Sequence, residues 1–524
     1  MRTPLNLILL LLILGLGTRV RAQEINFGFP VQTEVANGVL EGHYSTRTGV
    51  QRYLGIPFAA PPVGDLRWRP PQPAADWEGV RPAKEFGPRP VQRYIYDDMR
   101  FRSPEVSEDC LYLNVWTPAK KGESGLPVLV YFYGGGFSAG SGDEGRYDGE
   151  RLAQEGVVVV TPNYRLNVFG FLAHPELTAE SARGSSGNYG LLDQAAALQW
   201  VRDNIAAFGG DPQRITIAGE SAGSMSVSLQ MVSPLSRDLL AGAVGQSGAA
   251  VNPQRPVPPL AEGEEWGKKF LEATGYSAIA ELRKAPTRDI YEAYVYGNLG
   301  GPPVVVDGHF ITEEPTVTFR NRKQAQIPLM AGWTSTERPW GQFPTTPEAY
   351  RKMVAEQYPG NADELVKYYP ADRPSLSAIE LVSDMWIVLG TWNWADLQRR
   401  YSDQPVYRYR FDQIRPPLKG ETRQQEPPGA AHATDIEYFL DNLELSDQYS
   451  WEEDDHAAAA TMLTYLANFV KSGNPNGENL PEWPALEEGE TPRVMILDAD
   501  SRAEPFAAEP RYRYLRKMAE GARR

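Results

Sequence analysis

One cysteine, Cys110, stands among 524 residues. A lone thiol forms no intrachain disulfide and no cysteine-rich metal site. Histidine is scarce as well, at five, so each one can be weighed as a candidate. No Asn-x-Ser/Thr acceptor occurs anywhere, which removes N-glycosylation from the argument. Positive charge is in deficit: 52 Lys and Arg against 67 Asp and Glu leave a net −15. That balance disfavours binding to nucleic acid phosphates or anionic membranes. Neither a glycine triplet period nor a sustained heptad appears, which excludes collagen-like and coiled-coil classes. Past residue 22 no stretch is long and apolar enough to span a bilayer, and no apolar tail of the glycolipid-anchor kind follows.

Aromatic residues, by contrast, are plentiful: 12 Trp, 26 Tyr and 18 Phe. With 42% apolar residues they supply a large core and rule out a disordered chain. Residues 1–22 read as a cleaved secretory signal. Arg2 provides a positive start, residues 5–17 form an apolar run broken only by Asn6, and Val20-Arg21-Ala22 suits a cleavage site. The run is too short for a comfortable membrane span. Cleavage after Ala22 would remove Arg2, Arg19 and Arg21 and take the net charge from −15 to −18. The expectation is therefore a signal over 1–22 and one domain over 23–524, secreted or periplasmic. Such a chain depends on its core rather than on disulfides.

From about residue 127, β-branched runs alternate with helical patterns. Residues 128–132, 157–160, 215–218, 327–331 and 406–411 read as strands. Between them, Leu192, Ala195, Leu198, Val201, Ile205 and Phe208 recur at helical spacing. This alternation predicts a mostly parallel central sheet with helices on both faces.

The sharpest local signal is Gly219-Glu220-Ser221-Ala222-Gly223. A strand precedes it and helix-compatible residues follow. That context makes a G-x-S-x-G pentapeptide a candidate nucleophile elbow. The turn must be sharp for the hydroxyl to stand clear of the sheet, and Gly219 and Gly223 remove side chains that would collide there. The competing reading of Ser221 is a helix-capping serine. Upstream, Tyr133-Gly134-Gly135-Gly136-Phe137 follows the strand 128–132. Consecutive glycines free backbone N–H groups to face a substrate oxygen, as acyl transfer requires. Gly135 and Gly136, with the N–H of Ala222, are the candidate oxyanion hole.

At this point the match reaches beyond two motifs. The sequence resembles the type-B carboxylesterase family, which includes cholinesterases, bile-salt lipases and bacterial secreted esterases. The resemblance rests on Tyr53-Leu54-Gly55-Ile56-Pro57-Phe58-Ala59, Glu108-Asp109-Cys110-Leu111-Tyr112-Leu113-Asn114-Val115, Asn163-Tyr164-Arg165, Phe208-Gly209-Gly210-Asp211-Pro212 and Gly473-Asn474-Pro475. It covers nearly the whole chain after residue 22. It implies one α/β-hydrolase domain with helical insertions over an active-site gorge, and small-molecule esters as substrates, with no metal and no organic cofactor.

A serine hydroxyl needs a base. In α/β-hydrolases the chain order is Ser, acid, His, which removes His43 and His174. The segment around His432 resembles the family's catalytic-histidine motif. His309 lies in a Val-Asp-Gly-His turn, and His456 sits among helix-compatible residues facing solvent. The acid lies between Ser221 and His432. The resemblance places it at Glu337, although the flanking Asp and Gly of the family pattern are Thr336 and Arg338 here. Asp307, Glu313 and Glu314 are its rivals. Glu220 and Ser247 are expected to support the site, Ser247 by a hydrogen bond to the acid.

Two departures bear on substrate. Cholinesterases close a loop onto the cysteine matching Cys110, whereas Pro90 stands where its partner would be. The loop 91–109 has Tyr94, Tyr96 and Phe101 but no Trp for cation–π binding of choline. The main expectation is a serine carboxylesterase. Hydrolysis of another acyl bond (amide, lactone or polyester) and a non-catalytic adhesion protein of the same fold are the alternatives. Oligomeric state and acyl-chain preference are not legible.

Overall fold

The computed structural model describes residues 28–423, 427–489 and 491–521. The signal reading over 1–22 lies outside them. Twelve strands form one continuous path: β1 (Gly28–Val35), β2 (Gly38–Ser45), β3 (Gln51–Pro57), β4 (Tyr112–Thr117), β5 (Leu126–Phe132), β6 (Val158–Pro162), β7 (Gly210–Glu220), β8 (Leu240–Gln246), β9 (Leu329–Thr334), β10 (Val406–Phe411), β11 (Arg493–Leu497) and β12 (Arg502–Pro505). Their spatial order is β1-β2-β3-β4-β6-β5-β7-β8-β9-β10-β11-β12, with Val80–Pro82 paired beside β2. From β6 to β11 every neighbouring pair is parallel.

The flanks differ from the centre. Strands β1 to β4 pair antiparallel, and β4 meets β6 antiparallel. Only Ala36 and Asn37 separate β1 from β2, and so short a connection permits nothing but a hairpin. At the far edge β12 folds back antiparallel on β11.

Alternation along the central strands divides the core into two layers. In β5, Val128, Val130 and Phe132 join one apolar cluster, and Leu129 and Tyr131 join the other. Successive side chains point to opposite faces, so a strand apolar at every position is covered on both sides. The helix expected from the spacing of Leu192 to Phe208 runs Tyr189–Asn204 and tightens into a 3-10 turn, Ile205–Phe208, that stops at Gly209 in a left-handed conformation. A third apolar cluster packs Trp333 against Trp392, Phe506 and Tyr512. No helix among the described residues is long and apolar enough to cross a membrane.

The carboxyl ends of β5, β7, β8, β9 and β10 all open on one edge of the parallel region. The glycine run, Ser221, Ser247, Glu337 and His432 each follow one of these ends. Open parallel sheets bind ligands at this edge.

Candidate active site

Ser221 sits between β7 and the helix Ala222–Val232 with φ 54° and ψ −118°. A non-glycine residue adopts that conformation only under constraint from its surroundings. The constraint is visible on both sides. A Cβ on Gly219 would fall 2.5 Å from the Gly223 carbonyl carbon, and one on Gly223 would fall 2.0 Å from the Phe132 carbonyl oxygen. Strand and helix therefore approach as closely as glycine permits. The Ser221 N–H donates to the Gln246 carbonyl at 2.8 Å. Its side chain makes no capping bond to the helix it precedes, so the capping reading fails and the hydroxyl is available.

That hydroxyl lies 2.9 Å from His432 Nε2. His432 Nδ1 lies 2.6 Å from Glu337 Oε2. A carboxylate only accepts, so Nδ1 carries the proton and Nε2 accepts from the serine. Glu337 is fully buried, and its other oxygen, Oε1, accepts from the Ser247 hydroxyl at 2.7 Å and the Thr334 N–H at 2.9 Å. Ser247, expected to bond the acid, thus donates to Glu337. The rivals are engaged elsewhere. Asp307 accepts from the N–H groups of His309, Phe310 and Ile311 in a turn. Glu314 caps the short helix Pro315–Arg320, Glu313 pairs with Lys323, and His456 is exposed on the helix Glu453–Ser472.

The loops bearing Glu337 and His432 are stitched to each other. Thr336 N–H donates to the Ala430 carbonyl, and Ala430 N–H donates to Ser335 Oγ, both at 2.9 Å. Beyond the histidine, Ala433 has φ 65°, and its carbonyl accepts from Arg415 Nη2 at 3.1 Å. The same guanidinium pairs with buried Glu437 at 2.7 Å. The Trp386 ring meets the His432 ring edge-on at 4.8 Å, from a π-helical turn, Asp384–Val388. Trp340, exposed at the surface, packs in turn on Trp386.

The glycine run lies against Ser221. A Cβ on Gly134 would come within 2.6 Å of Glu220 Oε2 and 3.1 Å of Ser221 Cβ. Gly135 and Gly136 both have positive φ, 109° and 63°, and Gly136 is exposed. Ala222 opens the helix behind Ser221. The buried Glu220 places Oε1 3.2 Å from His432 Nε2. Among the described residues that oxygen has no hydrogen-bond partner, so it acts on the ring through charge rather than through a directed bond. Asp435, also buried, accepts from the Tyr409 hydroxyl at 3.0 Å. Burial foremost pushes its carboxyl up to about 6. No group of three or more His, Cys, Asp or Glu among the described residues is disposed to hold a metal ion.

Reading along the sequence missed Trp386, Arg415, Asp435 and the position of Tyr96. A Trp inside a helical pattern and an Arg before a proline carry no local mark of a neighbouring histidine.

The carboxylesterase family matches residues 30–515 of this chain. A fumonisin B1 esterase of Sphingopyxis macrogoltabida is 37% identical over 479 residues, covering 86% of this chain and 84% of that one. A para-nitrobenzyl esterase of Bacillus subtilis (strain 168) is 33% identical over 492 residues, covering 87% and 93%. The solved structure of a Geobacillus stearothermophilus carboxylesterase matches with a TM-score of 0.78 at 32% identity, over 92% of this chain and 99% of that one. The chain belongs to the carboxylesterase family, whose α/β-hydrolase fold it shares, and is a carboxylic ester hydrolase.

Proposed function

We propose that the chain is an exported serine carboxylesterase that cleaves small-molecule esters through an acyl-enzyme. Ser221 Oγ attacks the ester carbonyl while its proton passes to His432 Nε2. Glu337 holds the Nδ1 tautomer and stabilises the imidazolium that forms. The N–H groups of Gly135, Gly136 and Ala222 receive the oxyanion, a contribution of about 3 kcal/mol for one donor. As the tetrahedral adduct collapses, the Nε2 proton moves to the leaving alcohol. Water then attacks the acyl-Ser221 ester by the same route, and Ser221 recovers its proton. These steps call on no metal and no organic cofactor. The observation that carries the reading is the file Glu337–His432–Ser221, closed at 2.6 and 2.9 Å, with a serine side chain that makes no capping bond to the helix it precedes.

The test is covalent labelling of the purified protein with a fluorophosphonate, followed by peptide mapping. Label is expected on Ser221, absent in Ser221→Ala and slowed about a thousandfold in His432→Ala. A folded protein that takes no label, or takes it elsewhere, overturns the serine mechanism. Export is tested separately. The protein secreted by cells carrying the full chain is expected to begin at Gln23, and retention with Met1 intact overturns that part.

A further inference from the structure

The loop 91–109 lacks the disulfide that closes its counterpart in cholinesterases, yet it is held at several points. The Gln92 side chain brackets Gly140, accepting from its N–H at 2.8 Å and donating to its carbonyl at 2.7 Å. Asn167 donates to the Val91 carbonyl at 2.7 Å. Asp98 receives Arg146 at 2.8 Å, with Arg415 3.9 Å away. Asp143 accepts from the N–H groups of Arg102 and Ser103. Between Gln92 and Asp98 the loop reaches its tip, where the Tyr94 ring packs on Phe101.

That tip carries Tyr96. Its hydroxyl lies 3.5 Å from the point where a Cβ on Gly136 would stand. Tyr96 is 45% exposed, and among the described residues none hydrogen-bonds its hydroxyl. On the same glycine turn, Ser138 Oγ meets the Tyr294 hydroxyl at 3.2 Å, and Ser138 also bonds the Gly136 carbonyl at 3.2 Å. The Tyr96 hydroxyl therefore borders the oxyanion glycine, and the paired hydroxyls of Ser138 and Tyr294 lie two residues along the same turn. From the geometry we infer that Tyr96 and Tyr294 form a hydroxyl-lined subsite beside the scissile carbonyl, and that the favoured substrates carry a neutral oxygen acceptor there. An ether, carbonyl or alcohol oxygen fits, and a plain alkyl group leaves the Tyr96 hydroxyl unpaired against it. The inference rests on the serine esterase reading.

The electrostatics narrow the ligand further. Burial, then the carboxylates of Glu220 and Asp98, raise the Tyr96 phenol above its ordinary value. The phenol thus stays a neutral donor throughout the working range of an esterase. The same two carboxylates disfavour an anionic acceptor, which is why a neutral oxygen is the better occupant.

Isosteric ester pairs test this directly. p-Nitrophenyl methoxyacetate and butyrate differ by one oxygen in the acyl part. 2-Methoxyethyl acetate and butyl acetate differ by one in the alcohol part. For each pair the ratio of kcat/KM, oxygenated over alkyl, is compared between wild type and variants. Tyr96→Phe is expected to lower the ratio in at least one pair about fivefold or more, the size of one neutral hydrogen bond. Tyr294→Phe is expected to lower it in the same pair, and Tyr94→Phe to leave it unchanged. Ratios that stay within twofold of wild type for both Tyr96→Phe and Tyr294→Phe overturn the subsite. Fluorophosphonate labelling of the same preparations keeps the two readings apart. Labelled Ser221 with unmoved ratios sinks the subsite alone, and an unlabelled wild type sinks the serine mechanism beneath it.

Discussion

Glu220 Oε1 stands 3.2 Å from His432 Nε2, the ring nitrogen that meets the Ser221 hydroxyl. With Glu337 on Nδ1, the imidazole has a carboxylate at each nitrogen. Burial works against the imidazolium, but the charges of Glu220 and Glu337 outweigh it and raise the His432 pKa. Glu220 is raised by burial foremost, with His432 pulling it the other way.

This arrangement fixes the pH dependence. In the proposed mechanism His432 must be neutral to accept the serine proton, so activity is expected to rise as the imidazolium is lost. The acid limb of kcat/KM is expected above the ordinary histidine value of about 6.5. Glu220→Gln removes one of the two stabilising charges and shifts that limb to lower pH by about one unit. Profiles from pH 5 to 10 on one activated ester decide the matter. A limb that does not move with Glu220→Gln would mean that the second carboxylate has no electrostatic hold on the base.

Asp435 makes a prediction about stability. Its carboxyl is raised from 3.8 to about 6, first by burial. The folded chain therefore holds this proton more tightly than the unfolded chain does. The associated stability is fully present below pH 3.8 and is lost as pH rises through 6. For a completely buried group the loss is ~3 kcal/mol. Asp435→Asn keeps an acceptor for the Tyr409 hydroxyl and removes the titration. The Tm of the variant relative to wild type is expected to climb between pH 4 and 6 and then level off. A difference that is flat across that window contradicts the assignment.

Legibility in the sequence followed how local each feature is. Ser221 could be read because a strand, a tight turn with two glycines and a helix start are all encoded within a dozen residues. The parallel centre was legible for the same reason, since runs such as 128–132 are apolar at every position. Glu337 and His432 needed chain order and family resemblance, because nothing beside them marks their chemistry. The antiparallel flank went unread although Asn37-Gly38, a strong hairpin signal, was present. Trp386 on His432, Arg415 on the Ala433 carbonyl and Tyr96 over Gly136 were not legible at all. Each joins segments far apart in the chain, and only the packing of the sheet and its loops brings them together.

The two oxygens of Glu337 divide their work, and substitutions can separate them. Oε2 holds the histidine, and Oε1 is held by Ser247 and the Thr334 N–H. Glu337→Gln presents an amide where a carboxylate must stabilise imidazolium, and kcat is expected to fall about 10³- to 10⁴-fold. Ser247→Ala leaves the carboxylate charged and one N–H still in place, so kcat should fall about tenfold with little change in KM. Steady-state kinetics on both variants provide the check. Equal losses would place Ser247 in the chemistry itself rather than behind the acid.

Arg415 joins fold and site through one guanidinium. It is 10% exposed, pairs with Glu437, which is 2% exposed, and donates to the Ala433 carbonyl beside His432. Arg415→Met leaves the Glu437 charge buried without its partner, which costs ~3–5 kcal/mol. It also strips the carbonyl beside His432 of its donor, where Ala433 is held at φ 65°. The two effects separate in the pair Arg415→Met/Glu437→Leu. Removing the orphaned charge as well should restore much of the Tm, because an apolar pair of similar volume can replace a buried ion pair. It should not restore kcat, since the Ala433 carbonyl still lacks its donor and His432 loses a constraint on its position. Thermal melts and kcat on the single and double variants test both halves. Recovery of kcat together with Tm would show that Arg415 supports the fold alone and does not position the histidine.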